Sequence, residues 1–542
     1  MWEQNYHPVA GSLGYSALVA SAPLLVLFYM LGVKRKPSWM AALAALGAAW
    51  VVALFVIRMP VQQAAAATLY GAAFGLFPIG WIVFSSILLY RIAVDTGKFE
   101  IIKDSVGTLS DDRRLQALFI AFSFGAFVEG AAGFGAPVAV AAAMLSGLGF
   151  SPFYAAGICL LANTAPVAFG SIGTPIITLN GITGLSMHSL SAMVGRICAL
   201  VSVIIPTYLV VVMSGVKGGI EVWPAIAACG VTFAVMQFAV SNFIGPELTD
   251  ILSSLASLGA MVLVMKLWHP AKIFRLEGDA PVSKAPRKHT GGEIFLAWTP
   301  YVLLVIFVLL WGYKPMKATL DQVTRLIPVP GLHQTITRIP PVTKTPGPYA
   351  AVFTFNWLSA SGTSCFFAAV LASLLLGVKP KRFAELFVAT HKQLAFSMLT
   401  IASMLGLAFL MNYAGMTSTL GLAFAATGSA FPFFSALLGW LGVFLTGSDT
   451  SANALFGNLQ VVTANALGIS PVLTAATNSS GGVMGKMISL QSIAVAVAAT
   501  GMAASDEGKL FRFTLRHSVI LATVIGIIAL GYAYLFPDLV PK

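Results

Sequence analysis

Four ionisable side chains lie in stretches that are otherwise apolar, and these residues are the most able to do chemistry. They are two acids, Glu129 and Asp449, and two bases, Arg196 and Lys486. At the centre of a membrane each costs on the order of 2.5–3.5 kcal/mol, so each needs a partner or a function. Because loss of water favours a neutral carboxyl group, Glu129 or, second, Asp449 could bind and release a transported proton. Lys486 first, and Arg196 second, could bind a substrate carboxylate.

Each of the four also has a structural alternative. Either acid could pair with a buried base, and Asp449, in LTGSDTSAN, has the residue type and setting of a helix N-cap. Arg196 begins its apolar stretch, so its side chain could extend to the membrane interface, and Lys486 could do the same or form an internal salt bridge. These alternatives stay open at the level of sequence.

Two further acids, Glu247 and Asp250, stand at a segment boundary beside Pro246. Acidic side chains and proline are common at the first turn of a helix. We therefore expect these acids to cap a helix rather than to take part in transport.

Glycines and small polar residues surround the charges. Glycine permits a helix to break, and the N–H groups freed at a break can bind an anion, although glycines also permit close helix packing. The predicted break glycines are Gly130, Gly133, Gly135, Gly447, Gly481 and Gly485. Hydroxyl and amide groups nearby suit either a small hydroxylated anion or contacts between helices. The polar candidates for substrate binding are Asn163, Thr164, Ser171, Ser448, Asn478, Ser479 and Ser480.

The composition indicates that all these residues belong to a membrane protein. The chain has 542 residues, of which 58% are hydrophobic and 9% charged, whereas soluble domains carry about 25% charged residues. The net charge of +12 indicates Lys and Arg residues in cytoplasmic loops, and we do not interpret it as a sign of nucleic-acid binding. The sequence contains no phosphate loop, nucleophile motif or metal-ligand pattern, so we predict neither an enzyme nor a cofactor or metal.

An all-α polytopic fold with roughly 12–16 membrane segments follows from the apolar stretches, since a span needs ~20 residues. The regions 115–180 and 433–500 are apolar but interrupted, which predicts broken helices or re-entrant hairpins. Basic clusters near residues 34–36, 98–114, 266–288, 379–382 and 509–516 place those loops inside and both termini outside. The predicted continuous spans are 13–33, 38–57, 67–90, 187–212, 223–243, 247–268, 295–313, 349–378, 393–412 and 517–536.

The chain repeats itself at a nearly constant offset. With the orientation above, the two copies start on opposite sides of the membrane, as in the inverted repeats of many secondary transporters. We predict a first repeat at 1–222, a two-span insertion and basic loop at 223–294, and a second, inverted repeat at 295–542. The matched pairs are GAFVEG (125–130) with GVFLTG (442–447), LGFSP (148–152) with LGISP (467–471), and Asn163…Gly170 with Asn478…Gly485.

Five motifs resemble those of the bacterial lactate permease family: FVEGAAGFGAPVA, NTAPVAFG, SNFIGPEL, WLGVFLTGSDTS and GKMISLQSIA. The resemblance covers nearly the whole chain, and it departs from the family where Leu490 replaces the usual proline. It implies an inner-membrane symporter that takes up L-lactate, D-lactate and often glycolate with a proton. The expected partners are the monocarboxylate, the proton and the lipid bilayer; the oligomeric state is left open. A sodium-coupled carboxylate carrier and, less favoured, a passive anion channel remain alternatives.

Overall fold

The structure is a computed structural model that describes residues 1–107, 109–133, 135–276, 288–503 and 506–542. Within these residues, twelve helices are long and apolar enough to cross a membrane. Three shorter apolar helices, at Ala136–Gly147, Pro152–Ala162 and Ser361–Leu375, accompany them. The predicted all-α polytopic fold is confirmed.

The N-terminal part of the chain is built from helices that often continue one another through π-helical turns, at Tyr29–Val33, Val52–Val56, Gly75–Gly80 and Ala117–Phe124. The helices are α1 (Leu13–Ala20), α2 (Ala22–Phe28), α3 (Ser38–Val51), α4 (Val61–Phe74), α5 (Trp81–Asp95), α6 (Lys98–Gly107), α7 (Arg113–Gln116), α8 (Gly125–Ala131), α9 (Ala136–Gly147), α10 (Pro152–Ala162), α11 (Thr174–Thr183), α12 (Met187–Glu221), α13 (Trp223–Phe243) and α14 (Thr249–Leu267).

The C-terminal part continues with longer helices, and a final π-helical turn at Gly531–Leu535 extends the last one. The helices are α15 (Gly291–Gly312), α16 (Lys314–Leu320), α17 (Ser361–Leu375), α18 (Pro380–Tyr413), α19 (Met416–Phe424), α20 (Phe431–Thr446), α21 (Asp449–Leu467), α22 (Pro471–Lys486), α23 (Leu490–Thr500) and α24 (Glu507–Leu530). Short 3-10 turns occur at Ser171–Gly173, Asp321–Val323, Ala425–Ala430 and Pro537–Leu539.

Two small sheets lie between α16 and α17, and one of them includes the N-terminal residues. In the first sheet, β1 (Trp2–Glu3) pairs in parallel with β3 (Ile336–Arg338), which pairs with β4 (Gly347–Pro348). In the second, β2 (Arg325–Pro328) pairs antiparallel with β5 (Val352–Phe355). The predicted span 349–378 is therefore wrong in its first part, because those apolar residues form a strand and the helix begins only at Ser361.

The predicted interruptions of regions 115–180 and 433–500 are confirmed. In the first region the helices break between Ala131 and Ala136, and again between Ala162 and Thr174. The second region has the same order of elements, with one break after Thr446 and another after Lys486. The broken helices pack against each other across the regions, α11 on α21 and α9 on α23.

A buried arginine fixes one end of the helix assembly. The Arg114 side chain has no exposed surface and forms ion pairs with Asp112 at 2.8 Å and Glu221 at 2.7 Å. Its guanidinium also donates to the backbone oxygen of Lys272 at 3.2 Å and stacks over the Phe274 ring. These contacts bring the basic segments before α7 and after α14 to the same end of the molecule.

Candidate functional site

A cavity of about 210 Å³ lies where the four helix interruptions meet. The first interruption contributes Glu129, and the second contributes the polar loop that includes Ser171. Residues 446–451 form another wall, and Lys486 and Gln491 flank the last interruption. Parts of α3 and α18 complete the enclosure. Three of the four charges singled out in the sequence therefore line one cavity, although more than three hundred residues separate Glu129 from the other two.

Glu129 lies near the end of α8 and is 5% exposed. Among the described residues its Oε2 atom has no hydrogen-bond partner. The ammonium group of Lys486 and the Asn163 side chain are among the groups that interact with this carboxyl. Asn163 is buried at the C-terminal end of α10, beside the second interruption. This polar candidate from the second interruption is therefore near Glu129.

Asp449 is the first residue of α21, and the side chain of Ser448, not that of Asp449, caps this helix by accepting from Ser451 N at 3.2 Å. The Asp449 carboxylate accepts at Oδ2 from Ser479 Oγ at 2.6 Å and from Asn453 Nδ2 at 3.2 Å. Its Oδ1 atom has no partner among the described residues. The capping alternative for Asp449 is therefore wrong, and the acid is instead held at the helix start by α22.

Asn453 and Asn478 extend the hydrogen bonds from Asp449 into the protein. Asn478 donates to Asn453 Oδ1 at 2.9 Å and accepts from Gln460 at 3.0 Å. Asn453 Nδ2 also donates to the backbone oxygen of Pro175 at 3.2 Å. This network joins α21 and α22 to the start of α11, so it connects the two interrupted regions. Asn478 therefore orders the cavity wall rather than lining the cavity.

Lys486 ends α22, and its ammonium group donates to Gly447 O at 2.6 Å. Gly447 is the C-cap of α20, where a helix carries partial negative charge, and Asp449 stands at the start of α21, where a helix carries partial positive charge. Each charge is thus placed at the helix end that stabilises it. The Lys486 side chain is directed to the interruption between α20 and α21, where it makes an internal contact.

Three of the predicted break glycines lie at interruptions with left-handed backbone. Gly133 has φ +61°, Gly135 has φ +85° and Gly447 has φ +71°. Glycine adopts such angles without the steric cost that other residues pay. At these positions the chain leaves one helix and begins the next.

The break prediction is wrong for Gly130, Gly481 and Gly485, which lie inside α8 and α22. These glycines permit helices to approach closely instead. A Cβ at Gly481 would lie 2.3 Å from Ala436 O, and a Cβ at Gly485 would lie 2.3 Å from Trp440 O, both on α20. The sequence TNSSGG is therefore a contact surface for α20, and the interruption comes later, at residues 487–489.

Arg196 does not line the cavity, so its predicted role in substrate binding is corrected. Its Nε donates to Asn242 Oδ1 at 2.9 Å, and its Nη1 donates to the backbone oxygen of Leu539. The arginine thus ties α12 to α13 and to the C-terminal segment. Thr164 and Ser480 are also turned elsewhere, toward Leu161 O and the Cys198 thiol.

Three other polar candidates, Ser171, Ser448 and Ser479, lie at the cavity or bond to a residue that lines it. Ser171 and Ser448 line it. Ser171 also donates to Ser86 Oγ at 3.1 Å, and Ser479 reaches the cavity through its bond to Asp449. The N-terminal turn of α21 faces the same space, which adds backbone N–H groups to the wall. The site can therefore offer a small anion one ammonium group, hydroxyl groups and a helix N-terminus.

Sequence reasoning missed Asp250. This residue is 1% exposed, and neither of its carboxyl oxygens has a hydrogen-bond partner within the described parts of the chain. The predicted capping role is wrong, because the N-cap of α14 is Leu248 and no side chain caps that helix. Glu247 does not cap it either; it accepts from Ser361 Oγ at 3.2 Å. The sequence signal for Asp250 was an acidic residue at the start of the apolar segment that forms α14. An acidic residue in an apolar segment is also the signal that identified Glu129.

Comparison with known proteins agrees with this architecture. The sequence matches a family model described as L-lactate permease over residues 16–536. The chain belongs to the L-lactate permease family. Together with the twelve apolar helices, this membership makes the chain a multi-pass membrane transporter.

Two relatives in this permease family are similar along all or nearly all of their length. The L-lactate permease of Bacillus subtilis (strain 168) is 47% identical and is aligned over 100% of both chains. The glycolate permease GlcA of Escherichia coli (strain K12) is 47% identical over 99% of this chain and 98% of its own. The solved structure of Neisseria gonorrhoeae MtrF is similar with a TM-score of 0.51 at 13% identity, covering 94% of this chain and 98% of MtrF. That likeness shows the fold alone.

Proposed function

We propose that this chain imports lactate and glycolate by proton symport. One observation carries the proposal: a single cavity brings one cation, Lys486, together with two acids, Glu129 and Asp449. The names of the relatives supply the substrate class, because an L-lactate permease and a glycolate permease are equally similar to this chain. Lactate and glycolate share a carboxylate and a 2-hydroxyl group, so one polar site can serve both.

The groups around the cavity suit this substrate class. Lys486 and the N–H groups at the start of α21 attract the carboxylate, and the hydroxyl groups of Ser171 and Ser448 are partners for the substrate hydroxyl. The side chains of Val167 and Phe396 give an apolar wall for the methyl group of lactate. Glycolate lacks that methyl group and makes the same polar contacts.

Proton coupling follows from the charge balance of the site. With both acids ionised, the cavity has one positive and two negative charges, and an incoming carboxylate adds a third negative charge. Removing such charges from water is costly unless they are paired. A proton bound to Glu129 offsets the negative charge of the incoming anion, and Asp449 is the second candidate for this proton. Lactate with one proton then crosses without net charge, so the pH difference drives uptake.

We propose alternating access between two inverted halves of a bacterial inner-membrane protein. The repeated order of helix, break and helix in regions 115–180 and 433–500 supports the repeat. The Arg114 contacts gather two basic segments at one end of the molecule, which supports placing that end in the cytoplasm and both termini outside. In this arrangement the predicted division into 1–222, 223–294 and 295–542 separates the two halves from a two-helix insertion.

The test is uptake of labelled L-lactate by purified protein in proteoliposomes, with an inward-directed proton gradient and no sodium. We expect accumulation that an uncoupler abolishes. Accumulation that appears only after sodium is added would identify sodium, and not the proton, as the coupling ion. Flux that follows the membrane potential and does not saturate would identify a passive anion channel, and either result would refute proton symport.

A further inference from the structure

The first turn of α14 brings a second acid against the helix that carries Glu129. A Cβ placed on Gly130 would lie 2.9 Å from the Cβ of Asp250 and 2.9 Å from Ile251 Cγ1. The backbone of α8 and the first turn of α14 are therefore in direct contact at the residue after Glu129. Glu129 is also the carboxyl group that interacts electrostatically with Asp250. The two acids come from different segments, and Asp250 belongs to the predicted insertion.

Both acids have carboxyl oxygens without a hydrogen-bond donor. In the part of the chain that the structure describes, Oδ1 and Oδ2 of Asp250 and Oε2 of Glu129 have no partner, while these residues are 1% and 5% exposed. Buried polar atoms without partners are rare in native proteins, and each needs a reason. A protonated carboxyl group gains one O–H donor. A proton on one acid would thus give it an O–H group that can donate to an oxygen of the other.

Few other charged or titratable groups face this pair. Lys486 interacts with Glu129 and Asp449 from the cavity side, and the Cys198 thiol of α12 faces both Asp250 and Asp449. Glu247 precedes Asp250 but interacts with Ser361 and Lys317. Of the other elements that pack on α14, Ala117–Phe124 and Ser171–Gly173 contain no ionisable residue, and α13 contributes the Cys229 thiol, which accepts from Ser257 Oγ at 3.4 Å. No cation among the described residues therefore compensates a negative charge on Asp250.

We propose that Asp250 and Glu129 hold one proton in common, so that Asp250 sets the pH range in which Glu129 carries the transported proton. Two carboxyl groups in one buried site do not both ionise readily, because their negative charges repel. Asp250 does not line the substrate cavity; it acts on Glu129 across Gly130 and is a positioning residue. This inference deepens the proposed symport and rests on it for the role of the proton.

The test is exchange of labelled for unlabelled lactate, with the same pH on both sides of the proteoliposome membrane, measured over a range of pH. Exchange needs no net proton movement, so it separates this inference from the symport. If the wild-type protein exchanges lactate but does not accumulate it with a proton gradient, the symport fails and the exchange profile still tests the pair.

We expect Asp250→Asn and Asp250→Ala both to move the alkaline midpoint of exchange to lower pH, by about one unit or more for a strongly interacting pair. Without the neighbouring negative charge, Glu129 releases its proton more readily. The matched controls are Asp112→Asn, a buried acid at the Arg114 cluster, and Asp538→Asn, an exposed acid. Both controls should keep the wild-type midpoint. An unchanged midpoint in the two Asp250 variants, whatever their rate, overturns the proposal.

If the Asp250 variants fail to fold, infrared spectra of the wild-type protein and of Glu129→Gln decide the question. A shared proton gives a protonated-carboxyl band at pH 7 that Glu129→Gln alters in area or position. A band that Glu129→Gln leaves unchanged, or the absence of a band at pH 7, also overturns the proposal.

Discussion

Replacing Lys486 by alanine is the most direct test of the proposed substrate site. The ammonium group is partly buried, it donates to Gly447 O at 2.6 Å, and it interacts with two acids. Truncating one member of a hydrogen-bonded charge pair costs about 2–5 kcal/mol when the pair is buried. Because Lys486 is only partly buried, the lower end applies, and about 2 kcal/mol corresponds to a roughly 30-fold loss of affinity. We therefore expect the apparent KM for lactate to rise at least roughly 30-fold in Lys486→Ala.

The assay is the initial rate of labelled lactate uptake against concentration, at a fixed pH gradient and with equal amounts of reconstituted protein. Lys392→Ala is the matched control, because Lys392 is exposed on α18 and does not line the cavity. Its KM should equal that of the wild-type protein. A change in KM of less than about threefold in Lys486→Ala, too small for a lost charge contact, would remove Lys486 from the binding site and with it the charge-balance argument for the proton.

Three further substitutions test the proton carrier, the hydrogen-bond network and the helix packing. Glu129→Gln should abolish uphill lactate uptake under a proton gradient while exchange persists; normal accumulation by this variant would reject Glu129 as the carrier. Ser479→Ala removes the 2.6 Å hydrogen bond to Asp449 and should lower the free energy of unfolding by about 1.5–3 kcal/mol, seen as a lower Tm in detergent. Gly439→Ala would place a methyl group 1.9 Å from a backbone oxygen of α22 and should prevent recovery of folded protein, whereas Gly47→Ala, with nothing within 4 Å, should leave folding intact. Equal recovery of the two alanine variants would contradict the packing argument.

The sequence predicted the membrane class and most helices because these depend on local composition. The predicted segment 13–33 coincides with Leu13–Val33, and 223–243 coincides with Trp223–Phe243. Apolar composition predicts a span across the strand Val352–Phe355, because the partner strand that makes it a strand lies more than twenty residues away in the sequence. A window of apolar residues cannot reveal such pairing.

The candidate site was predictable as far as unusual residue types identify it. Glu129, Asp449 and Lys486 stood out as charges in apolar stretches, and the structure places them around one cavity. Arg196 had the same signal but binds Asn242, and Asp250 was assigned to capping because it stands near Pro246. Both errors have one cause: the direction of a side chain and the identity of its neighbours depend on tertiary packing, which spacing alone does not encode.

The pairing of β1 with β3 has a consequence for how the protein is made. Trp2 N donates to Thr335 O at 3.0 Å, and the Gln4 side chain donates to the backbone oxygens of Asn412 and Tyr413. The partners of Trp2 and Gln4 are therefore synthesised more than three hundred residues after them. At ~5–20 residues per second this delay is roughly 20–70 s. The N-terminal segment should be among the last parts of the chain to acquire native contacts during biogenesis.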